Sequence, residues 1–374
     1  MSDWRPDLNR PHVIIPRRDV DTMIRLARTL RRLALRDILP LEMPETARLD
    51  PNHEAVMMGY DFHLTAHGPR LIEVNTNAGG ALMAYCAQNP CFPPGPSFPD
   101  AIYNPDDRRQ IRLLRTFATE MACFSGNPAA RPRLIVLLDD APEKQFLYPE
   151  MRAFATLLTQ WGSECRIASP EALEKRPDGL FHQGCRVEMI YNRHCDFYLE
   201  TKPLAEIKSA WLARQVCLSP NPRQYGLLAD KRRMIAWSDP ATLAQLGLSP
   251  KEIALLIATI PKTFLLGSLE LKRVWTERNQ WVFKPFSGFG SRGVLLGTKI
   301  SRTRFNELDP LATLAQHYIP PSLTDMGYEQ PLKTDIRLFF YGNHPLGVAA
   351  RVYRGQVTNF QMAGNGFCPV RISD

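Results

Sequence analysis

Two short segments carry most of the chemistry this sequence can do, and they stand far apart in the chain. Near the N-terminus, Glu73 and Asn75 lie in Leu71-Ile-Glu-Val-Asn75-Thr-Asn-Ala-Gly-Gly80. Strand residues two apart share a face. A carboxylate beside an amide oxygen suits a hard magnesium ion that keeps phosphate and water in its other positions. Asp61, in Gly59-Tyr-Asp61-Phe-His-Leu64, can add a second carboxylate from an adjacent strand if His67-Gly68-Pro69 is the turn between. Read alone, Asp61 is equally an ordinary edge-strand acid. Asn77, Gly79 and Gly80 would let backbone approach a ligand closely, or form a plain turn. Much later, Trp281-Val-Phe-Lys284-Pro-Phe-Ser287-Gly288-Phe289-Gly290-Ser291-Arg292-Gly293-Val294 sets a lysine just before a glycine-rich loop.

That loop matches G-x-G-x-x-G over Gly288–Gly293, but the dinucleotide motif requires a helix to open there. Here Val294-Leu-Leu-Gly-Thr298 continues as a strand, and no acidic residue closes a second strand, so NAD is excluded. A P-loop would need Gly-Lys-Ser/Thr, and the His-Arg-Asp and Asp-Phe-Gly of protein kinases are missing. What remains is a hairpin whose backbone N–H groups can close over phosphates, with Lys284 as a point charge on one of them. By itself this is also consistent with a glycine hairpin beside a surface lysine. Arg337, in Asp335-x-Arg337, and Arg351 put guanidiniums on neighbouring strands, where they can hold a carboxylate, a phosphoryl group or a tetrahedral intermediate. A purely structural Asp335–Arg351 pair is the competing reading. Thr358-Asn359-Phe-Gln361 and Gly364-Asn-Gly366 would close this site.

The elements that must position these residues are legible as patterns. Arg133-Leu-Ile-Val-Leu-Leu-Asp139 is a continuous apolar run of the kind buried in a parallel sheet. A helix is expected from Asp106 to Phe124 and another from Tyr148 to Trp161, with strands at Glu164–Ala168 and Val187–Tyr191, so this stretch reads as a βαβ layer. Leu228-Ala-Asp230-Lys231 is expected to open a helix. Short strands follow at Pro261–Leu266, Trp281–Lys284, Val294–Gly297 and Leu314–Ile319, and Ile336–Tyr341 should pair with Gly347–Tyr353 as a hairpin. The Pro-rich run Asn89–Pro99 resists helix and reads as an ordered loop or linker.

Composition bounds the rest. A chain of 374 residues with 44% hydrophobic and 22% charged content is an ordinary globular protein with room for two or three lobes. No apolar stretch follows Met1-Ser-Asp-Trp-Arg-Pro6, so no signal peptide is expected. The longest apolar run, Ile253–Ile260, is too short to span a bilayer. The eight cysteines include no Cys-x-x-Cys pair, and Cys86 and Cys91 lack a second pair, which argues against zinc and for a reducing cytoplasm. The formal charge of +8 admits an anionic ligand. Much of the excess sits in Arg25, Arg28, Arg31, Arg32 and Arg36, which with Met23, Ile24, Ala27, Leu30 and Ala34 read as an amphipathic helix with a solvated basic face. Nothing marks a nucleic-acid or membrane surface.

Together these residues resemble the ATP-grasp superfamily, and their order resembles its circularly permuted branch, typified by eukaryotic glutathione synthetase. In the unpermuted fold the Asp…Glu-x-Asn segment is C-terminal, whereas here Asp61, Glu73 and Asn75 come first. Asp230-Lys231 resembles the family's helix-opening lysine, Ile260-Pro-Lys-Thr263 its "IP-x-T" strand, and Phe283-Lys284-Pro with the glycine loop its lid. Gln316-His317-Tyr318-Ile319-Pro resembles the adenine-binding hinge, and Asp335-Ile-Arg337 and Arg351…Asn359 its arginine and asparagine positions. The loop Ser287–Gly293 is closer to ordinary ATP-grasp lids than to the glutathione synthetase loop, so the glutathione substrate does not carry over.

The resemblance implies an α/β (α+β) fold of three parts. Residues 1–100 carry the metal-binding strands, 101–220 form a Rossmann-like substrate domain, and 221–374 form the lid and core. It also implies an ATP- and magnesium-dependent ligase joining a carboxylate to an amine through an acylphosphate. Lys231, Lys284, Ser287–Gly293 and Gln316–Ile319 would bind ATP, while Asp61, Glu73 and Asn75 would hold magnesium. Arg337, Arg351 and Lys284 would be catalytic, and Arg193, Asn77 and Asn359 would contact substrate. A kinase acting on an anionic small molecule and a non-catalytic ATP-binding module are the alternatives.

Overall fold

The computed structural model describes residues 12–36, 41–88, 98, 102–286, 293–356, 358 and 365–374. Its organising element is an antiparallel sheet assembled from both ends of the chain. Strands Met58–Thr65 and Gly68–Asn75 form a hairpin, turning at Ala66-His67 into Gly68, whose φ of 98° suits a residue without a side chain. Leu332–Tyr341 pairs antiparallel with the first of these, and His344–Tyr353 pairs with Leu332–Tyr341 as the expected hairpin. Gly366–Cys368 completes one edge, and Ser322–Thr324 also pairs with Leu332–Tyr341.

Alternation along these strands separates core from site. Tyr60, Phe62, Ile336, Leu338, Phe340, Ala350 and Val352 point to one face, where they pack with Met23, Leu26 and Leu30 of the helix Arg17–Arg36. Asp61, Asp335, Arg337 and Arg351 necessarily point to the other. The helix buries its apolar stripe, as the periodicity requires. Its basic face is tied down: Arg31 bonds Glu54, Arg32 bonds Glu252, and Arg28 donates to the Asn343 carbonyl.

A second antiparallel sheet has the order Thr263–Leu265, Thr313–His317, Trp281–Pro285, Leu295–Leu296. A third, wholly parallel sheet has the order Cys217–Ser219, Met189–Asn192, Leu134–Leu138, Glu164–Ala168. The helices flanking it are Arg108–Ser125, where Asp107 caps the Arg109 N–H and Gly126 terminates at φ 70°, and Tyr148–Trp161.

Two details differ from expectation. The run Val187–Tyr191 is divided: Val187 ends a small antiparallel meander built from residues 173–187, and the parallel strand begins at Met189. Between them, Glu188 takes the Arg133 N–H on its carboxylate at 2.7 Å. Asp230 does not open a helix. A single π-type turn, Tyr225–Ala229, precedes it, and Asp230 accepts the backbone and guanidinium of Arg232 and the Tyr198 hydroxyl, so the helix starts at Arg233. Most of Asn89–Pro99 lies outside the described residues.

Glu120 welds these layers together. It is fully buried and accepts from His53 Nδ1 at 2.9 Å, Ser219 Oγ at 2.7 Å, Tyr341 Oη at 2.9 Å and the Glu54 N–H at 3.0 Å. Burial pushes its carboxyl upward, but His53 and Ser219 outweigh that and hold it below the ordinary range. Cys86, Cys217 and Cys368 are buried in the packing. Replacing Glu120 with Ala strands these donors and should cost about 3–5 kcal/mol, read from urea denaturation. Because the folded-state pKa is lowered, the contribution is present above the ordinary glutamate value and is lost as pH falls through the folded one.

Candidate active site

The two antiparallel sheets face each other across a cleft of about 250 Å³, lined on one side by Asp61, Glu73, Asn75, Arg337 and Arg351 and on the other by Lys284 and Gln316. The segments that stand far apart in the sequence therefore meet in one place.

Lys284 joins the two walls. It projects from Trp281–Pro285, is buried, and donates to Gln316 Oε1 at 2.7 Å within its own sheet and to the Ile72 carbonyl at 3.1 Å in the other. Gln316 is aimed in turn by the Thr263 hydroxyl, to which its Nε2 donates at 3.1 Å. Burial depresses the Lys284 pKa to about 8; Glu73 pulls it up and Lys231 pushes it further down. Lys231 lines a smaller pocket shared with Lys284, Glu73 and Gln316, so both expected phosphate-binding lysines converge.

On the other wall the register sets Asp61 opposite both Glu73 and Arg337, and Asp335 opposite Arg351. Arg337 grips Asp61 with two bonds, 2.7 Å to Oδ1 and 2.6 Å to Oδ2, and Arg351 adds one at 2.9 Å. Asn75 Nδ2 donates to the same carboxylate at 3.1 Å and to Glu73 Oε1 at 3.2 Å. Arg351 also bonds Asp335, whose other oxygen accepts from the Thr358 hydroxyl.

Burial pushes Asp61 upward, but Arg337 and Arg351 overcome it and bring its pKa down to about 2. The same pairing, against burial, raises Arg351 above the ordinary arginine range, with Asp335 contributing most. Expectation needs correcting here. Asp61 was placed among the magnesium ligands, yet its carboxylate is filled by four N–H donors from three side chains. It positions the arginines instead. The structural Asp335–Arg351 pair does form, and it is half of a four-membered ionic cluster.

Glu73 and Asn75 fit a magnesium ion better. They share a face, and Asn75 turns its amide nitrogen to the carboxylates, which leaves its carbonyl oxygen pointing away from them. Among the described residues no group of three His, Cys, Asp or Glu side chains forms a metal site. A magnesium site here therefore depends on one carboxylate, one amide oxygen and phosphate, the donor set that this ion accepts.

The hinge residues Gln316, His317, Tyr318 and Ile319 all line the cleft. The His317 N–H bonds the Lys262 carbonyl, the Tyr318 N–H bonds the Gln280 carbonyl, and the Ile319 carbonyl pairs with His63 Nδ1 at 2.7 Å. Gly293 is in the left-handed region at φ 75°. Ser287, Gly288, Phe289, Gly290, Ser291 and Arg292, and likewise Asn359, lie outside the described residues.

Arg193 and Asn77, expected as substrate contacts, hold each other. Arg193 Nη1 donates to the carbonyls of Asn77 and Ala78, both at 3.0 Å, and Asn77 Nδ2 returns a bond to the Arg193 carbonyl at 3.2 Å. Together they fix the loop that follows Asn75.

Sequence reasoning missed three participants. His63 stands two residues from Asp61 on the same strand, and the period-2 rule already placed it in the cleft. Glu150 accepts the N–H groups of Gly80 and Leu82 at 2.8 and 2.9 Å and so anchors the other end of the loop; no local signal announced it. Gly59 makes room for Arg337, since a Cβ there would lie 2.6 Å from that of Ala78 and 3.3 Å from Arg337 Nε.

No protein-family model matches this chain, and no curated protein matches it significantly. Solved structures do. The "putative gamma-glutamylcysteine synthetase" of Methylobacillus flagellatus aligns over 91% of this chain and 81% of its own, with TM-score 0.54 and 11% identity. The ATP-grasp ligase PsnB complexed with minimal precursor aligns over 64% of this chain and 77% of its own, with TM-score 0.38 and 16% identity. The same ligase with precursor, Mg and ADP gives 64%, 76%, 0.35 and 15%. The first of these likenesses shows a shared fold, mixed α/β with two antiparallel sheets facing across a cleft. No helix among the described residues is long and apolar enough to cross a membrane.

The ionic cluster makes a direct prediction. Asp61→Asn leaves Arg337 buried without its counter-charge and should cost about 3–5 kcal/mol by urea denaturation. Glu73→Gln, which disturbs one bond from Asn75, should cost less than about 1 kcal/mol. With a folded pKa of about 2, the Asp61 contribution is complete above about pH 4 and is lost as the pH falls towards 2.

Proposed function

We propose that this chain is an ATP- and magnesium-dependent ligase that joins a carboxylate to an amine through an acylphosphate. The observation that carries this reading is the convergence of Lys284, Glu73 and Asn75 with the arginine pair Arg337 and Arg351 in one cleft. We also propose the division into 1–100, 101–220 and 221–374 and the circular permutation of the ATP-grasp core, which the pairing of an N-terminal hairpin with C-terminal strands supports.

In this reading the adenine lies along Gln316–Ile319, and Lys231 and Lys284, with the amides of Ser287–Gly293, take the phosphates. Glu73 and Asn75 would hold magnesium, which when bound neutralises charge on the transferring phosphoryl oxygens. Arg337 and Arg351, aimed by Asp61 and Asp335, orient the carboxylate substrate so that its oxygen attacks the γ-phosphorus and ADP departs. The amine then displaces phosphate from the acyl carbon. Positioning and charge do the work, and no side-chain nucleophile is needed.

Magnesium-ATP at about 100 times its Kd should stabilise the wild type by about 2.7 kcal/mol, seen as a rise in melting temperature of several degrees. Lys284→Ala and Glu73→Ala should each lose most of that rise. An unshifted wild type at saturating nucleotide refutes the ATP reading. ADP release should then require both an acid and an amine when the common L-amino acids are offered in each role; release that ignores the amine points to a kinase instead.

A pH dependence follows from Lys284. The phosphate stabilises the charged ammonium, so binding above pH 8 requires proton uptake. Affinity should therefore fall by up to about tenfold per pH unit above 8. Calorimetric titration of Lys284→Ala should show this dependence flattened.

A further inference from the structure

The nucleotide of the proposed reaction carries sugar hydroxyls, and no side chain so far receives them. We propose that His63 recognises the ribose, its Nε2 accepting a hydrogen bond from the 2′- or 3′-hydroxyl of the bound nucleotide. This rests on the ATP reading above.

His63 lines the cleft between the two antiparallel sheets. It stands on the strand Met58–Thr65, two residues beyond Asp61, and so on the same face about 7 Å further along. Its Nδ1 lies 2.7 Å from the carbonyl of Ile319, the last residue of the hinge. Asp61, at the other end of that interval, is opposite Glu73 in the register. The imidazole therefore stands between the hinge, where the base would lie, and Glu73, where the phosphates would lie. In a nucleoside triphosphate that interval is the ribose.

The bond to Ile319 decides what the rest of the ring can do. A carbonyl oxygen only accepts, so Nδ1 carries the proton. An imidazole of ordinary pKa is already mostly neutral at pH 7, and burial lowers this one further against the opposing pull of the Ile319 carbonyl. A neutral ring protonated at Nδ1 leaves Nε2 with a lone pair and no proton. Among the described residues no donor bonds that nitrogen. It is an acceptor facing a ligand cleft, and what it lacks is an O–H or N–H.

The acceptors around it are already engaged. Asp61 is taken by Arg337, Arg351 and Asn75. Asp335 takes Arg351 on one oxygen and Thr358 on the other. Gln316 Oε1 takes Lys284, and in the proposed site Glu73 is committed to magnesium. His63 is also fixed in direction before any ligand arrives, because its Nδ1 bond ties the ring to the hinge. A hydroxyl bound by it therefore freezes no further side-chain rotation.

Side-chain length separates the two ring nitrogens. His63→Asn can keep a donor near the Nδ1 position and has no atom at Nε2, whereas His63→Gln can carry its amide oxygen to the Nε2 position. His63→Phe keeps the ring's shape and removes both. Wild type and variants are titrated calorimetrically with the magnesium salts of ATP, 2′-deoxy-ATP, 3′-deoxy-ATP and purine riboside triphosphate, which lacks the 6-amino group. Wild type should bind one of the two deoxynucleotides about 3- to 10-fold more weakly than ATP, the net worth of one neutral hydrogen bond. His63→Asn and His63→Phe should bind ATP and that deoxynucleotide alike, and His63→Gln should restore part of the preference. A merely structural role for His63 would weaken all four nucleotides together and leave their ratios unchanged.

A wild type indifferent to both sugar hydroxyls overturns the assignment, as does a preference that survives in His63→Asn or His63→Phe. A His63-dependent loss confined to purine riboside triphosphate also overturns it, since the ring would then read the base. In each of these cases the ATP reading stands. A wild type that does not bind magnesium-ATP overturns the ATP reading, and this inference with it.

Discussion

The buried charge on Asp61 is the constraint on which the rest of the site depends. Two acids and two arginines, Asp61, Asp335, Arg337 and Arg351, are all buried on one face of the central sheet. Each ion taken from water carries a desolvation penalty of several kcal/mol, repaid only when geometry and hydrogen bonding are complete. Antiparallel register provides that geometry. It sets Arg337 opposite Asp61 and Arg351 opposite Asp335, so both guanidiniums reach carboxylates on neighbouring strands without leaving the sheet. With formal charges balanced within the cluster, the arginines can sit in a low-dielectric cleft fully charged and fixed in direction. Donors held this way interact strongly with an anion because no reorganisation is needed when it arrives.

Lys284 stands under the opposite tension. Among the described residues no acid bonds it; its two acceptors, Gln316 Oε1 and the Ile72 carbonyl, are neutral. Burial therefore works against its charge, and the nearby Lys231 adds to the strain. A polyanion entering between the sheets would relieve Lys284. The arginine wall is satisfied internally, whereas Lys284 bonds neutral acceptors. In the proposed ligase that asymmetry would sort the roles, one wall supplying fixed direction and the other affinity.

How much of this was legible in the sequence depends on how local the cause is. Spacing alone placed Glu73 and Asn75 on one face, made 58–75 a hairpin around Gly68 and paired 336–341 with 347–353, because each follows from period 2 or a turn residue. The periodicity of Met23–Arg36 likewise implied a helix with a buried stripe, which the structure extends back to Arg17. What stayed hidden was set by partners from elsewhere in the chain. Asp61 looked like a metal ligand because a lone strand cannot reveal that Arg337, 276 residues away, will occupy it. Arg193 looked like a substrate contact because its acceptors, the Asn77 and Ala78 carbonyls, carry no side-chain signature at all. Glu150 was invisible for the same reason, since it meets only backbone N–H groups of the loop after Asn75.

That a site can be assembled from opposite ends of a chain follows from what sheet pairing requires. An antiparallel ladder fixes register between two strands and is indifferent to which comes first or how much chain lies between. Closing a longer loop adds only about 0.6 kcal/mol for each doubling of its length. The hairpin 58–75 is local and can form early, whereas its docking onto Leu332–Tyr341 is a long-range event that must await the C-terminal strands. Once docked, the order of segments no longer matters to the chemistry. Asp61 sees Arg337 as it would in any chain order that kept the register, and the permuted arrangement proposed for this core leaves the cleft unchanged. The covalent sequence is free to be rearranged because the physical site is specified by pairing, and pairing is specified at Asp61, where a one-residue slip would turn a buried carboxylate to the apolar face and leave Arg337 without its counter-charge.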